Sequence, residues 1–445
     1  MKKINRKYLF DTEVGRIALD REENKEYFLD RELSIKTFDS ATVIPASFRS
    51  WTENPVVSEG GLFDESGAYI EESSVFHWNL ILFNKVVSEK VLKSAEYCDE
   101  TVFYGGLFVE HWGHFIVDSM THLWPFALYP EKYKDVKVIF LTLYETKKIK
   151  GPYLEFLNLL GIKEEQIILV QKPLQYKKII VPESCMSINN FYTKEYKFFI
   201  DYVISQAMAQ PVQIKTHKKI YMSRKNWALS YDRDIAEDKI ERFFNQNGFK
   251  SVSMEQYSFV EQVHILQNAE NLACAICTLA HNLLFAKDGV QAAIINKTLN
   301  YNITQFMIDD VKKLDVTYID AFFAMIPVEF GAGPFLFDMN EHLENYAKDN
   351  NMKFSRAKMK KTDLIKYFDA CFRRVDDIPD SRLRYFKEQY QMMHSRCSFY
   401  SPKELLIKKY FYKVLSMFIN GKNKYFYNKY IEYKNRLKEY KKVMF

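Results

Sequence analysis

The chemistry-bearing residues of this 445-residue chain crowd into one stretch, Glu110 to Trp124, with the sequence EHWGHFIVDSMTHLW. Wound as a single helix, His111, His114, Asp118 and His122 fall within an arc of roughly 80°. Ile116, Val117, Met120, Leu123, Trp124 and Ala127 then form the opposite, apolar stripe. Imidazoles and a carboxylate are costly to bury without partners. Such a face therefore belongs to a wet cleft or to an internal polar network. A carboxylate or an imidazole there can act as a general base. Histidines three and four residues apart beside a carboxylate also suit Zn²⁺, Mn²⁺ or Fe²⁺, which gives a metal-dependent hydrolase as the alternative.

The elements that must position this stretch alternate in type. The turn-like Tyr104-Gly105-Gly106 precedes it, and residues 1 to about 100 hold short β-rich runs, TVIPA and VFHWNLILF, then helix-like VSEKVLKSAEYC. After it come the apolar strand Val136 to Leu143, helical YLEFLNLLGI stopped by Gly161, and strands QIILV and KKIIVPES. A helix from Thr193 to Ala209 ends before Pro211, and PVQIKTHKK reads as a linker. A second series follows. It runs from strand Lys219 to Ser223 through a helix from Asp234 to Asn247 stopped by Gly248, then SVSME, helical SFVEQVHILQNAEN and strand LACAI. Helical LAHNLLFAKDG, strand QAAIIN, helical NITQFMIDDVKKL and strand VTYID close it. Alternation of this kind marks parallel sheets with crossover helices. The expected architecture is α/β, with two Rossmann-like doubly wound domains facing across a cleft, at 1–210 (acceptor side) and 211–320 (nucleotide side). A helical and polar region over 321–445 follows, broken at Gly331 to Pro334, Pro379 and Pro402.

Hydrophobic residues make up 47% of the chain and aromatics 16%, which excludes wholesale disorder. Six cysteines are too sparse for a disulfide scaffold and fit a reduced cytoplasm. The charged N-terminus lacks the apolar core of a signal peptide, and no run is apolar enough to span a membrane as a helix. Residues 401–445 carry twelve Lys/Arg against three Glu, so of the total charge of +6 this tail holds +9 and residues 1–400 hold −3. Lysines interleaved with Tyr, Phe, Leu and Ile suit an anionic bilayer surface, at roughly 1 kcal/mol per cation. No basic excess elsewhere points to nucleic acid.

At the carboxyl edge of the second sheet, Ser223, Arg224 and Lys225 follow strand KIYMS, where open α/β sheets bind ligands. Arg224 and Arg233 can grip a diphosphate through bidentate guanidinium forks. The turn Cys277-Thr278-Leu279-Ala280-His281-Asn282 opens a helix whose free N–H groups favour a phosphate or sugar hydroxyl. Thr278 is equally suited to cap that helix. Glu255 can bind ribose or sugar hydroxyls, and Glu261 suits a cap at its helix start. Cys274-x-x-Cys277 lies in an apolar strand with no second pair, which leaves a redox or zinc role as a minor reading.

GHFIVDSMTHLW, KKIYMSRKNWALSYDRDI and GFKSVSMEQYSFVEQVHILQNAENLACAICTLAHNLLFAKDG together resemble glycosyltransferase family 61, in its bacterial, capsule-type branch. The resemblance covers about Gly105 to Asn296. It implies a GT-B fold and inverting transfer of a hexosyl or pentosyl group from a nucleotide sugar to a glycan or lipid-linked glycan. It also implies no obligatory metal cofactor. With it, Asp118 is the expected base and His114 the runner-up or its orienting partner; Glu110, His111 and His122 line the acceptor side. Ser223, Arg224, Arg233, Glu255, Thr278, His281 and Asn282 then form the donor side. The expected setting is cytoplasmic, peripheral to the inner face of the membrane, in the building of capsule or lipopolysaccharide. A non-catalytic assembly protein of such a system is the other alternative. Two positions depart from the family pattern: Cys277 replaces a glycine, and Glu237-Asp238 replaces Asn-Glu. The cysteine requires a backbone without positive φ at that point.

Overall fold

A computed structural model describes residues 4–372 apart from 49–56, 78–79, 82, 84, 144–145, 228–232, 299–300 and 324–332, together with residue 431. The expected membrane-surface role of 401–445 and the breaks at Pro379 and Pro402 lie outside the described residues. Two main sheets organise the rest.

The first sheet contains β1 (Ile35–Phe48), β2 (Val57–Phe63), β3 (Glu96–Phe108), β4 (Lys137–Thr142), β5 (Ile167–Leu169) and β6 (Leu174–Pro182), in the order β2-β1-β6-β3-β4-β5. β6, β3, β4 and β5 run parallel, while β1 pairs antiparallel with both β2 and β6. The second sheet holds β7 (Lys219–Met222), β8 (Lys250–Val252), β9 (Asn271–Ala275), β10 (Gln291–Asn296) and β11 (Asp315–Asp320). Its order is β8-β7-β9-β10-β11 and every pair is parallel. The strand order therefore reverses between β7 and β9, the crevice where doubly wound sheets receive ligands.

Helices cover these sheets: α1 (Glu13–Glu23), α2 (Pro152–Leu159), α3 (Lys194–Met208), α4 (Glu237–Gln246), α5 (Phe259–Asn268) and α6 (Ile303–Val311). Their ends follow local chemistry. Pro152 opens α2, Gly161 at φ +78° follows its end, and Ser258 with Glu261 forms a reciprocal capping box on α5. Glu261 thus has the capping role expected of it.

Both sheets share one apolar core. Phe103, Phe108, Phe115, Phe156 and Phe199 from the first half pack in the same cluster as Ile220, Met222, Leu272, Leu283 and Phe285 from the second. Each such side chain contributes about 1.5–3 kcal/mol on burial. Mixed α/β layering with parallel sheets is present, as the alternation of elements in the sequence implies.

Several expectations need correction. The residues read as a turn, Tyr104-Gly105-Gly106, are the bulged interior of β3. A Cβ on Gly105 would sit 2.6 Å from the Phe140 ring, and Gly106 lies at φ +100° with Ser119 O only 3.0 Å from its missing Cβ. The glycines mark close approach, not chain reversal. Likewise Glu96-Tyr97-Cys98 begins β3, leaving only Glu89–Lys93 as helix. Asp234–Ile235 forms a short strand beside Phe335–Leu336, so α4 starts at Glu237, after Ala236 at φ +66°. Residues beyond Ala321 are thus not all helical, although Glu341–Asp349 and Lys361–Phe372 are.

Candidate active site

The Glu110–Trp124 stretch departs most from expectation. It is one α-turn, Trp112–His114, followed by a π-helical turn, Phe115–Ser119, in which the Met120 N–H donates to Phe115 O at 3.2 Å. π-Turns often occur at functional sites. This one is fixed at both flanks. The Val109 N–H donates to Ser119 Oγ at 3.1 Å, and the Cys185 N–H donates to Thr121 O at 3.0 Å. The apolar side is buried as expected, from Ile116 through Met120 to Trp124.

The wider turn shifts the phase of everything after it, and the four-residue polar face splits. His114 and Asp118 remain together, with the Nδ1–H of His114 against Asp118 Oδ2 at 2.7 Å. The Asp118 side chain is 2% exposed and that of His114 27%, so the imidazole stands between the carboxylate and solvent. His111 sits outside the helix with its ring centroid 5.0 Å from that of His114. It is open to solvent yet walled by protein. That burial, then His114 and Arg233, lowers its pKa to about 4.

His122 leaves the face altogether. It is buried edge-on to Tyr104, its Nε2 3.3 Å from Glu72 O, and burial lowers its pKa to about 4. It belongs to the core beneath β3 and not to the acceptor side. The four-ligand metal set of the hydrolase alternative is therefore not assembled. Among the described residues no group of three or more His, Cys, Asp or Glu converges for a metal. Glu110 lies exposed two residues beyond the end of β3.

Opposite this wall stand the loops after β7 and β9. A Cβ on Gly113 would come 3.0 Å from Thr278 Cγ2, and the Trp112 Nε1–H donates to Asn282 Oδ1 at 2.6 Å. Thr278 to Phe285 winds as a 3₁₀-helix, tighter than the α-helix expected, with Cys277 and not Thr278 at the cap position. Cys277 has φ −175°, extended backbone open to any residue, so the departure from glycine brings no strain. Its thiol donates to Ala275 O at 3.5 Å.

Arg224 Nη1 lies 2.9 Å from Asp234 Oδ2, and Lys297 Nζ lies 2.9 Å from Asp234 Oδ1. Arg224 and Arg233 both lie over the Trp227 ring, at 4.2 and 5.4 Å from its centroid. Lys297 sits 4.1 Å over Phe335. Behind them Glu237 accepts from the Tyr221 hydroxyl at 3.0 Å. Burial, and then Asp234, raise its pKa to about 7. Asp234 itself is held low: burial opposes its charge, but Lys297 and Arg224 outweigh it. Arg233 reaches far enough to depress His111, which joins the two walls electrostatically.

Residues 112–294 match the family model Glycosyltransferase 61. This is a glycosyltransferase 61 domain. The chain is accordingly a transferase, and its work needs a sugar donor and an acceptor. No curated protein matches the chain.

In and beside the glycosyltransferase 61 domain the named residues fare differently. Arg224, Arg233, His114, Asp118, His111 and His281 come together around one region. His281 is buried after β9. Its pKa is lowered to about 4, first by burial, and the charges of His114, His111 and Asp118 all reach it. Ser223 is buried and committed to its own loop, with Oγ donating to Glu241 and accepting from the Lys225 N–H, both at 3.2 Å. Asn282 is engaged by Trp112. Glu255 is exposed on the short 3₁₀ turn Met254–Gln256. Cys274 and Cys277 are buried free thiols.

Sequence reasoning missed Trp227, Asp234 and Lys297. The signals were a lone Trp between two arginines and a lysine immediately after a buried strand. Among the described residues, no helix is long and apolar enough to cross a membrane.

Proposed function

We propose that this domain performs inverting transfer of a hexosyl or pentosyl group from a nucleotide sugar. The acceptor is a hydroxyl of a growing bacterial surface polysaccharide, capsular or lipopolysaccharide, free or lipid-linked. The observation that carries the reading is the His114–Asp118 pair facing a guanidinium cluster across the meeting of the two sheets. Inversion requires a base on the acceptor hydroxyl and charge neutralisation at the leaving phosphate. His114 is the more exposed member, so it takes the proton on Nε2. Asp118, hydrogen-bonded at Nδ1, orients the ring and stabilises the imidazolium. This reading exchanges the roles expected from the sequence, in which Asp118 was the base, and the two exposures support the exchange.

As the acceptor oxygen bonds to the anomeric carbon, the bond from that carbon to phosphate breaks. The electron pair leaves with the nucleotide, whose charge Arg224 and Arg233 offset. Guanidinium groups supply that charge, so the reading calls for no obligatory metal. A GT-B arrangement of domains at 1–210 and 211–320, with 321–445 appended, agrees with the all-parallel second sheet. It also agrees with site residues at the carboxyl edges of both sheets. The basic tail over 401–445 would hold the enzyme at the cytoplasmic membrane face.

Donors are found by thermal shift against a panel of nucleotide sugars, since preferential binding to the native state raises the melting temperature. Transfer is then followed by NMR of the product's anomeric centre. An inverted configuration is expected, together with a 10²- to 10⁴-fold lower kcat in His114→Ala. A retained configuration, or full turnover in that variant, overturns the reading. Sedimentation with anionic vesicles, lost on deletion after Ser401, tests the membrane role.

A further inference from the structure

A chain of buried polar groups runs behind His281, outside the matched domain. His281 Nδ1 lies 3.0 Å from Gln305 Oε1, and Gln305 Nε2 donates to Asp309 Oδ1 at 3.0 Å. The Tyr318 hydroxyl donates to Asp309 Oδ2 at 2.5 Å. All four side chains are buried. Gln305 and Asp309 share one face of α6, four residues apart.

The order of donors and acceptors along this chain is fixed from its far end. A carboxylate only accepts, so Asp309 takes the Tyr318 O–H and one N–H of Gln305. The Gln305 amide is then turned with its oxygen toward His281. That oxygen also only accepts, so His281 must carry its proton on Nδ1. Nε2 is left with a lone pair, and it faces Asn302 Nδ2 at 3.4 Å, long for a hydrogen bond. Burial, with the nearby His114 and His111, keeps the ring neutral.

We infer that Gln305 and Asp309 hold His281 as a neutral hydrogen-bond acceptor which, with the Asn302 amide as donor, receives a hydroxyl of the nucleotide sugar. A neutral acceptor cannot serve a phosphate, so this corner reads a hydroxyl, of the ribose or of the sugar, while the arginines take the charge. Asn302 is half-exposed beside the buried ring, so its amide is the member of the pair nearer solvent. The inference rests on the donor-binding reading above, but its first test does not.

That test is long-range ¹H–¹⁵N NMR of the full chain labelled at histidine, with His281 assigned by its loss in His281→Gln. The expected result is a neutral ring protonated at Nδ1. In Asp309→Asn the Gln305 amide is free to flip, and a population protonated at Nε2 should emerge. In Gln305→Glu the ring should stay protonated at Nδ1 and its pKa should rise. An Nε2–H tautomer or an imidazolium at neutral pH in the unaltered protein overturns the inference. So does an unchanged His281 in both near-isosteric variants.

The second test uses calorimetry with UDP, CMP, their 2′-deoxy forms and UDP-glucose. Asn302→Ala should weaken the binding nucleotide about tenfold. If the 2′-deoxy form is already weak and insensitive to Asn302→Ala, the hydroxyl is the ribose's. If only the sugar nucleotide senses the variant, the hydroxyl is the sugar's. Equal affinity for every probe with and without Asn302 overturns the hydroxyl role. Failure of all five to bind the unaltered protein refutes the donor reading itself while leaving the tautomer result standing.

Discussion

The two walls of the site are built on opposite principles. After β3, a single imidazole stands in front of a buried carboxylate, and a π-turn holds the pair in place. After β7 and β10, one buried carboxylate, Asp234, gathers Arg224 and Lys297, with Arg233 alongside over Trp227. The first wall keeps the His114 imidazole nearer solvent than its carboxylate partner and uses backbone geometry to aim it. The second keeps permanent charges out of water and spends an acid to hold them. On the proposed mechanism proton handling and charge handling are thereby separated, and each wall can be broken without the other.

The sharpest break is Asp118→Asn. It preserves shape but presents either an N–H or an oxygen to His114 Nδ1, and the expected loss in kcat is about 10²- to 10⁴-fold with little change in donor KM. If Asp118 were itself the base, His114→Gln would instead keep most of the turnover, which steady-state kinetics on both variants decides. On the other wall, Asp234→Ala leaves two buried cations without their acid. Removing one partner from such a group costs about 3–5 kcal/mol, readable by urea unfolding. Arg224→Ala should act on binding, weakening the nucleotide by about tenfold or more with kcat per bound donor less affected. Loss of kcat alone in that variant would merge the two roles that the geometry separates.

A smaller effect isolates the backbone. Gly106→Ala adds a Cβ at φ +100°, 3.0 Å from Ser119 O and 3.1 Å from His122 Nδ1, and should cost about 1–3 kcal/mol in stability. The smallest concerns acid. The His122 pKa is about 4 in the fold against 6.5 for the free side chain, so the unfolded chain binds its proton first. Its contribution is complete above pH 6.5 and is lost as pH falls through about 4, at most about 3 kcal/mol. His281 acts in the same direction, while Glu237 and Asp320, raised to about 7, act oppositely. His122→Gln should therefore flatten the decline between pH 6.5 and 4 in melting temperature, and an unaltered slope would remove His122 from that balance.

What could be read from sequence divides along the same line. β9 and β10 are short runs that are apolar past their first residue, and β11 follows a helical stretch at the spacing of another crossover, so all three were legible. β3 was not. Its outer half is exposed, and its two glycines mimic a turn although they serve Phe140 and Ser119. His114 and Asp118 were found because four-residue spacing brings them together in the α-to-π segment that formed. His122 was misplaced because helical periodicity was carried through a π-turn that sequence does not announce. The cation wall joins Arg224, Asp234 and Lys297, the last two 63 positions apart, and only the parallel sheet brings them together.

Trp112 has one more consequence. Its indole stacks on Phe115 and meets Phe259, while its N–H reaches across to Asn282. It therefore pins the first sheet's loop to the second at the root of the motif. Parting the two sheets at this point would break that hydrogen bond and expose the indole's ring contacts together.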